Sequence, residues 1–306
     1  MILPSSVTIV EVGPRDGLQN EAAQVSVAAK VALIDALTEA GLPVIEVGAF
    51  VKPTRVPQMA DTEQVCARIR RRPGTRYTAL VPNLIGLDRA MAAGLDEVAI
   101  FAAATDTFSR KNNNQSIDDA LRNYQAVCAV ADDSQVRVRG YLSVSFGCPY
   151  EGVVPAARVA DLTARLLDLG VTEVAISDTI GVAHPGQVID LLDVVAARVG
   201  LDRVALHFHD TRGAALANVL AGLTRGVGTF DASCGGLGGC PFAPGASGNL
   251  ATEDLIYMLD GLGVRTGIRL EAVMDASLSV AARLGHPLPS RYVQAMLASA
   301  RRPIMK

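Results

Sequence analysis

The sequence lacks the basic surface that nucleic-acid-binding domains normally carry. Its 306 residues give a net charge of −3 at pH 7 and a pI near 5.8. The one dense basic run, residues 68–72, is interpreted as the solvated end of a helix, where the helix dipole favours cations. Phosphate binding by this run is the weaker alternative. We therefore expect no nucleic-acid partner.

Long apolar runs are also absent, so no segment is expected to span a membrane. The first residues, MILPSSVTIVEV, show no basic stretch followed by an apolar one, as a secretory signal would. The five cysteines are odd in number and include no Cys-x-x-Cys pair, which is typical of a reducing compartment. These absences predict a soluble, cytoplasmic protein.

What the sequence does contain is abundant apolar material, 50% of all residues, in a repeating order. Short apolar or β-branched runs alternate with longer helical patterns, several of which end at glycine. The predicted strands are residues 7–12, 44–48, 77–81, 97–102, 136–145, 173–177, 204–208 and 229–233. The predicted helices are residues 27–40, 61–71, 84–93, 117–131, 156–169, 186–199, 214–225 and 250–262.

Eight alternating strand and helix units predict an α/β fold with a parallel sheet, closed as a (β/α)8 TIM barrel. An open doubly wound sheet is the alternative. The first strand, however, ends in GPRDG rather than in the G-x-G-x-x-G turn of a dinucleotide-binding fold. We expect one domain over residues 1–306, with the barrel at about 7–262 and a helical appendage at about 263–306.

Polar residues that can carry chemistry follow the carboxyl ends of the predicted strands, where active sites of such barrels lie. They are Arg15 and Asp16 after the first strand, Glu46 in the second, Asp178 after the sixth, His207 and His209 at the seventh, and Cys240 in the glycine-rich loop after the eighth.

The triplet His207-Phe208-His209 is the most informative of these features. On a strand, its two imidazoles project from the same face. Together with Asp16 they form a mixed nitrogen and oxygen ligand set, which suits Mg²⁺ or Mn²⁺, and also Co²⁺ or Zn²⁺. The alternative, two buried core histidines, is less favoured because a carboxylate is predicted at the same end of the barrel.

The other candidates each have two interpretations. Arg15 either forms an ion pair with Asp16 or donates to a developing oxyanion. Cys240 is either a small packing residue or a thiol that transfers a proton from a mobile loop, and a redox disulfide with Cys234 is a weaker alternative. Asn249, immediately before a predicted helix, is ordinarily an N-cap.

Seven motifs together resemble the 3-hydroxy-3-methylglutaryl-CoA lyases, a family of barrel metallolyases. The resemblance covers nearly the whole chain, and its first and last motifs are the most specific. The motifs are VEVGPRDGLQNE, EVGAFVKPTRVPQMAD, FAAATDTFSRKNNNQSI, GCPYEG, SDTIGV, HFHDT and GGLGGCPFAPGASGNLATED.

The resemblance implies a divalent-metal-dependent cleavage of 3-hydroxy-3-methylglutaryl-CoA to acetyl-CoA and acetoacetate, a reaction of leucine degradation and ketone-body metabolism. It implies Mg²⁺ or Mn²⁺ as the cofactor, an acyl-CoA as the substrate and a homodimer as the assembly. The implied metal ligands are Asp16, His207, His209 and Asn249. The implied roles of the others are enolate stabilisation for Arg15, proton transfer for Cys240, acidic support for Glu46 and Asp178, and support behind Asn249 for Glu253.

One departure from the family pattern is Arg212, where many members carry an aromatic residue after HFHDT. A longer branched 3-hydroxyglutaryl thioester is therefore an alternative substrate. A Claisen-type synthase of the same superfamily is less favoured, because such synthases usually carry a further regulatory domain. A chain that merely binds CoA thioesters or metal is the third alternative, which the complete set of implied ligands disfavours.

Overall fold

A computed structural model describes residues 3–239 and 248–300 of the chain. Eight parallel strands pair in chain order, and β1 pairs with β8, which closes the sheet into a barrel. The strands are β1 (Thr8–Glu11), β2 (Val44–Ala49), β3 (Arg76–Leu80), β4 (Glu97–Ala103), β5 (Arg137–Ser143), β6 (Glu173–Asp178), β7 (Val204–Phe208) and β8 (Thr229–Ala232). The predicted (β/α)8 barrel is confirmed.

Helices connect the strands and surround the barrel. They are α1 (Val27–Ala40), α2 (Thr62–Cys66), α3 (Leu84–Ala92), α4 (Asp106–Asn113), α5 (Ile117–Asp133), α6 (Ala156–Asp168), α7 (Pro185–Val199), α8 (Ala215–Thr224), α9 (Thr252–Gly261), α10 (Leu270–Leu284) and α11 (Arg291–Ala300). The last two extend the chain beyond the barrel, and α10 packs against α1. Within the described parts of the chain, no helix has the length and apolar character needed to cross a membrane.

Two local predictions differ from the structure. The helix expected at residues 61–71 ends at Cys66, so the basic run 68–72 follows the helix instead of closing it. There the backbone N–H and the Nε of Arg70 donate to the carboxylate of Asp35. These hydrogen bonds fix the segment after α2 to α1. The polar segment Asp106–Asn113, expected as a loop, is helical although it buries only Phe108 and Ser109.

The main hydrophobic core lies between the barrel wall and the helices, and Leu33, Ile100 and Phe230 are among its fully buried residues. The barrel interior is different, because long polar side chains meet there. Arg139 of β5 and Asp231 of β8 form an ion pair although their strands are not neighbours in the sheet, so this pair crosses the interior. The fold thus places charge inside the barrel and apolar contact outside it.

Candidate active site

The segment after β1, Gly13–Gly17, forms a single π-helical turn, a feature that is frequent at functional sites. The N–H of Gly17 donates to the carbonyl oxygen of Val12 at 3.1 Å. Gly13 must be glycine, because a Cβ there would lie 2.6 Å from an oxygen of Glu11 and 2.7 Å from the sulfur of Cys234. This turn directs Arg15 and Asp16 toward the barrel mouth.

His207 of β7 and His209, which directly follows β7, meet the turn from the other side. The ring centroids of His207 and His209 are 5.2 Å apart. Asp16, His207 and His209 each offer one ligand atom, and these three atoms lie within 4.8 Å of one another. Two ligand atoms bound to one ion at about 2.0–2.2 Å lie at most about 4.4 Å apart, so this spacing is close to what a single ion requires. The three residues therefore form a cluster that could hold a metal ion.

Asn249 joins this cluster through its amide. Its Nδ2 donates to Asp16 Oδ2 at 2.9 Å and to the carbonyl oxygen of Leu237 at 3.1 Å. Its Oδ1 is buried and has no hydrogen-bond donor within the described residues, and the same holds for Nδ1 of His209. A buried amide oxygen without a donor is costly unless it binds something, and an oxygen ligand of this kind suits a hard divalent cation.

The protonation states of the cluster also fit a metal. Burial, with a contribution from His207, lowers the pKa of His209 to about 4, so the ring is neutral at pH 7, as a ligand must be. Burial raises the pKa of Asp16, but Arg15 and the two histidines outweigh it, and that pKa lies below its ordinary value. The site therefore presents a carboxylate and a neutral imidazole at neutral pH.

Arg15 links two carboxylates in the buried floor of the site. Its Nε donates to Glu46 Oε2 and its Nη1 to Asp16 Oδ1, each at 2.6 Å. Burial lowers the pKa of Arg15, but the two carboxylates more than offset it, so the guanidinium stays charged. Burial raises the pKa of Glu46 against the opposing effect of Arg15. The ion pair with Asp16 is present, and Nη2 has no partner within the described residues, so it is free to donate to a substrate.

A cavity of about 670 Å³ opens above this cluster. Arg15, Asp16 and both histidines line its floor, while the exposed Lys52 and Arg55 line its mouth. The cavity thus has a charged floor and a cationic rim.

Asp178 and Glu253, two acidic residues predicted for the site, bind backbone groups away from the cavity. Asp178, the last residue of β6, accepts hydrogen bonds from the N–H groups of Val182 and Ala183, each at 2.9 Å. Its strand neighbour Ser177 lines the cavity instead, because successive strand residues face opposite sides. Asp178 therefore holds the loop after β6.

Glu253 is fully buried, and its described partners are the N–H of Gly235 and the hydroxyl of Ser277 rather than Asn249.

The interpretation of Asn249 as an N-cap is wrong, because α9 begins at Thr252 with Ala251 at its N-cap. Cys234 is a free, buried thiol. Cys240, the predicted proton-transfer residue, lies outside the described residues.

Arg212 forms hydrogen bonds with backbone groups. Its Nη1 donates to the carbonyl oxygens of Ile180 and Gly181, at 3.1 and 2.8 Å. It ties the loop after β7 to the loop after β6 and does not line the cavity above Asp16, His207 and His209. Its charge therefore gives no support to the idea that it selects the acyl group.

Three functional candidates went unnoticed in the sequence, namely Arg139, Tyr141 and Asp231. Asp231 Oδ2 lies 3.1 Å from His207 Nδ1. Tyr141 lines the cavity between the guanidiniums of Arg15 and Arg139, whose Cζ atoms lie 5.5 and 5.0 Å from its ring centroid. A charged residue inside a short buried strand needs a partner, and VRGYLS and TFDAS each contain one.

A (β/α)8 barrel with a histidine and carboxylate cluster at the carboxyl ends of its strands defines a candidate metal-dependent barrel enzyme. The model of one family, described as HMGL-like, matches residues 6–280. The chain belongs to the HMGL-like family.

Its relatives match over almost their full length. The chain is 50% identical over 300 residues to the 3-hydroxy-3-isohexenylglutaryl-CoA/hydroxy-methylglutaryl-CoA lyase of Pseudomonas aeruginosa, covering 98% of this chain and 100% of the relative. It is 49% identical over 293 residues to the mitochondrial hydroxymethylglutaryl-CoA lyase of Homo sapiens, covering 96% and 90%. The crystal structure of hydroxymethylglutaryl-CoA lyase from P. aeruginosa superposes with a TM-score of 0.96 at 50% identity, covering 98% of this chain and 100% of that one.

Proposed function

We propose that this chain is a divalent-metal-dependent carbon–carbon lyase that cleaves 3-hydroxy-3-methylglutaryl-CoA to acetyl-CoA and acetoacetate. The observation that carries the proposal is the cluster of Asp16, His207 and His209 beneath the cavity, with Arg15 beside it. Relatives that match this chain end to end bear the names of lyases for this substrate.

The reaction consists of four changes in the substrate. The 3-hydroxyl of the substrate loses its proton, and the C2–C3 bond breaks as C3 becomes the ketone of acetoacetate. The electron pair of that bond passes to the thioester as an enolate. The enolate carbon then takes up a proton and becomes the methyl group of acetyl-CoA. An enzyme for this reaction therefore needs a sink for charge at the thioester oxygen, a proton donor at C2 and an acceptor for the hydroxyl proton.

Arg15 is suited to the first need. Glu46 and Asp16 fix its orientation through two of its nitrogens, which leaves Nη2 for the thioester oxygen, and the guanidinium remains charged throughout. Cys240, by the family resemblance, supplies the proton at C2. Glu46 supports the reaction indirectly through its hold on Arg15.

Asp16, His207, His209 and the Oδ1 of Asn249 would hold the metal, and their mixed oxygen and nitrogen set suits Mg²⁺ or Mn²⁺. When bound, the ion acts as a Lewis acid that favours loss of the hydroxyl proton and polarises the forming ketone. The neutral state of His209 and the ionised state of Asp16 keep these ligands ready at pH 7.

The cationic rim fits the coenzyme A part of the substrate. The nucleotide end of the substrate would lie at the mouth of the cavity, where Lys52 and Arg55 are exposed. Phosphate groups attract such cations. Replacing both with alanine should raise KM for the thioester with little change in kcat, and Arg68→Ala, an exposed arginine after α2, is the matched control. An unchanged KM would remove the rim from substrate binding.

The central experiment measures acetyl-CoA release from 3-hydroxy-3-methylglutaryl-CoA with Mg²⁺ or Mn²⁺, and then after EDTA. Chelator-sensitive release is expected, and readdition of metal should restore it. His184→Ala, at an exposed histidine that caps α7, is the control for variants of the two cluster histidines. No release with bound metal would refute the proposed substrate.

A longer branched substrate is the second candidate. Leu80, Phe101 and Phe108 give the cavity an apolar wall, and the P. aeruginosa relative is named for an isohexenyl substrate as well as for the methyl one. The ratio of kcat/KM for the two thioesters decides between them. Incubation with acetyl-CoA and a 2-oxo acid tests the Claisen-type synthase, and we expect no thiol release in that assay.

A further inference from the structure

An ion pair crosses the barrel below the cluster of Asp16, His207 and His209. Arg139 of β5 donates to both oxygens of Asp231 of β8, from Nη2 at 2.7 Å and from Nη1 at 3.3 Å. Both side chains are almost fully buried. The Nε of Arg139 donates to Glu173 of β6 at 2.8 Å. One guanidinium therefore joins two carboxylates in the interior, and only one of these carboxylates reaches the site.

Asp231 is the one that reaches it. Its Oδ2 lies 3.1 Å from Nδ1 of His207, and both groups are buried. Arg139 donates to both oxygens of Asp231, and a carboxylate paired in this way with a guanidinium is ionised. An ionised carboxylate only accepts hydrogen bonds, so the proton of this contact belongs to His207. In a neutral ring with Nδ1 protonated, Nε2 carries the free lone pair.

We propose that Asp231, oriented by Arg139, is a positioning residue that fixes His207 in its Nδ1–H tautomer and so presents Nε2 as a metal ligand. The hydrogen bond sets both the tautomer and the plane of the ring, and carboxylates behind histidine ligands commonly act in this way. The role of Arg139 is to hold both oxygens of Asp231, so that the carboxylate cannot turn away from His207. The metal part of this inference rests on the proposed function.

His209 provides an internal contrast. Its Nδ1 is buried without a partner in the part of the chain that the structure describes. The two histidines are therefore supported differently, and among the described residues only His207 has a carboxylate at its Nδ1. The ring of His207 should be the better ordered of the two before metal binds.

The first test needs no variant. The sequence has only four histidines, so their ¹⁵N resonances in the metal-free wild-type protein can be assigned with the matching single-histidine variants. In the neutral form of its ring we expect His207 to show the Nδ1–H tautomer. An Nε2–H tautomer for His207 would overturn the proposal.

The second test compares two variants that each remove one carboxylate from the same guanidinium. Asp231→Asn removes the carboxylate that touches His207, whereas Glu173→Gln removes the one that does not. Calorimetric titration with Mn²⁺ should show affinity lowered about 10- to 100-fold in Asp231→Asn. Affinity in Glu173→Gln should equal that of the wild type. Equal losses in both variants, or none in either, would overturn the assignment.

The two proposals fail separately. If the wild-type chain binds Mn²⁺ with the expected difference between variants but releases no acetyl-CoA, the proposed reaction is wrong and the role of Asp231 stands. If the wild-type chain binds no divalent ion, the metal part of both proposals is wrong. Circular dichroism of each variant establishes that it folds, and the tautomer measurement on the wild type is independent of that result.

Discussion

Glu11 is a buried carboxylate whose replacement by glutamine should change how stability depends on pH. One of its oxygens accepts from the N–H groups of Gly13 and Cys234, each at 2.8 Å, and the other from the hydroxyl of Thr252 at 2.7 Å. Burial raises its pKa from 4.5 to about 7, although these hydrogen bonds oppose the shift. Glutamine has the same shape and can keep all three contacts, but it does not titrate.

The sign of the effect follows from proton binding. Between pH 4.5 and about 7 the folded state keeps the proton of Glu11 while the unfolded state loses it. The free energy of unfolding of the wild type therefore falls as pH rises, by about 2.5 kcal/mol from pH 5 to pH 8 for this group alone. The Glu11→Gln variant lacks this loss, so its stability relative to the wild type should improve by that amount over the same range.

Urea unfolding followed by circular dichroism at pH 5, 6, 7 and 8 measures this difference. Glu253, whose pKa burial also raises to about 7, keeps part of the slope in both proteins, so the difference between the two proteins reports mainly on Glu11. Glu271→Gln, at an exposed position of α10, is the matched control and should follow the wild type. Parallel curves for Glu11→Gln and the wild type would show that the three hydrogen bonds keep Glu11 ionised, and would refute the reasoning.

Three further predictions concern the site. His209→Ala should weaken Mn²⁺ binding and abolish lyase activity because it removes a ligand, and a variant that binds one ion at full affinity would count against that role. Arg15→Lys cannot contact Glu46, Asp16 and a thioester oxygen at once, so kcat should fall by about 10²- to 10³-fold with metal affinity retained; unchanged turnover would exclude enolate stabilisation by Arg15. Cys240→Ser should lower turnover strongly without changing metal affinity, and wild-type turnover would remove Cys240 from the mechanism.

Much of the site was predictable because it follows from local order along the chain. A strand places residues i and i+2 on one face, so the spacing of His207 and His209 already brought the two rings together. The carboxyl ends of parallel strands meet at one end of a barrel, and that rule placed Arg15 and Asp16 near them. The family resemblance alone selected Asn249 as a metal ligand.

Other features depend on contacts between distant segments. Arg139 and Asp231 are 92 residues apart, and no local pattern indicates that each is the other's partner. Asn249 looked like an N-cap, but bridges from His209 to Asn249 and from Ser233 to Ala251 carry the chain past it before the helix begins.

The sequence by itself determined the barrel, because the alternation of short apolar runs and helical patterns repeats eight times and leaves a parallel sheet to close on itself. It also determined which strand ends carry reactive side chains. Only the tertiary structure decided which way each side chain at these strand ends points. Ser177 enters the cavity and Asp178 turns away, since the barrel fixes which alternate positions point inward. The same choice places Asp231 behind His207, where an ionised carboxylate determines which nitrogen is free.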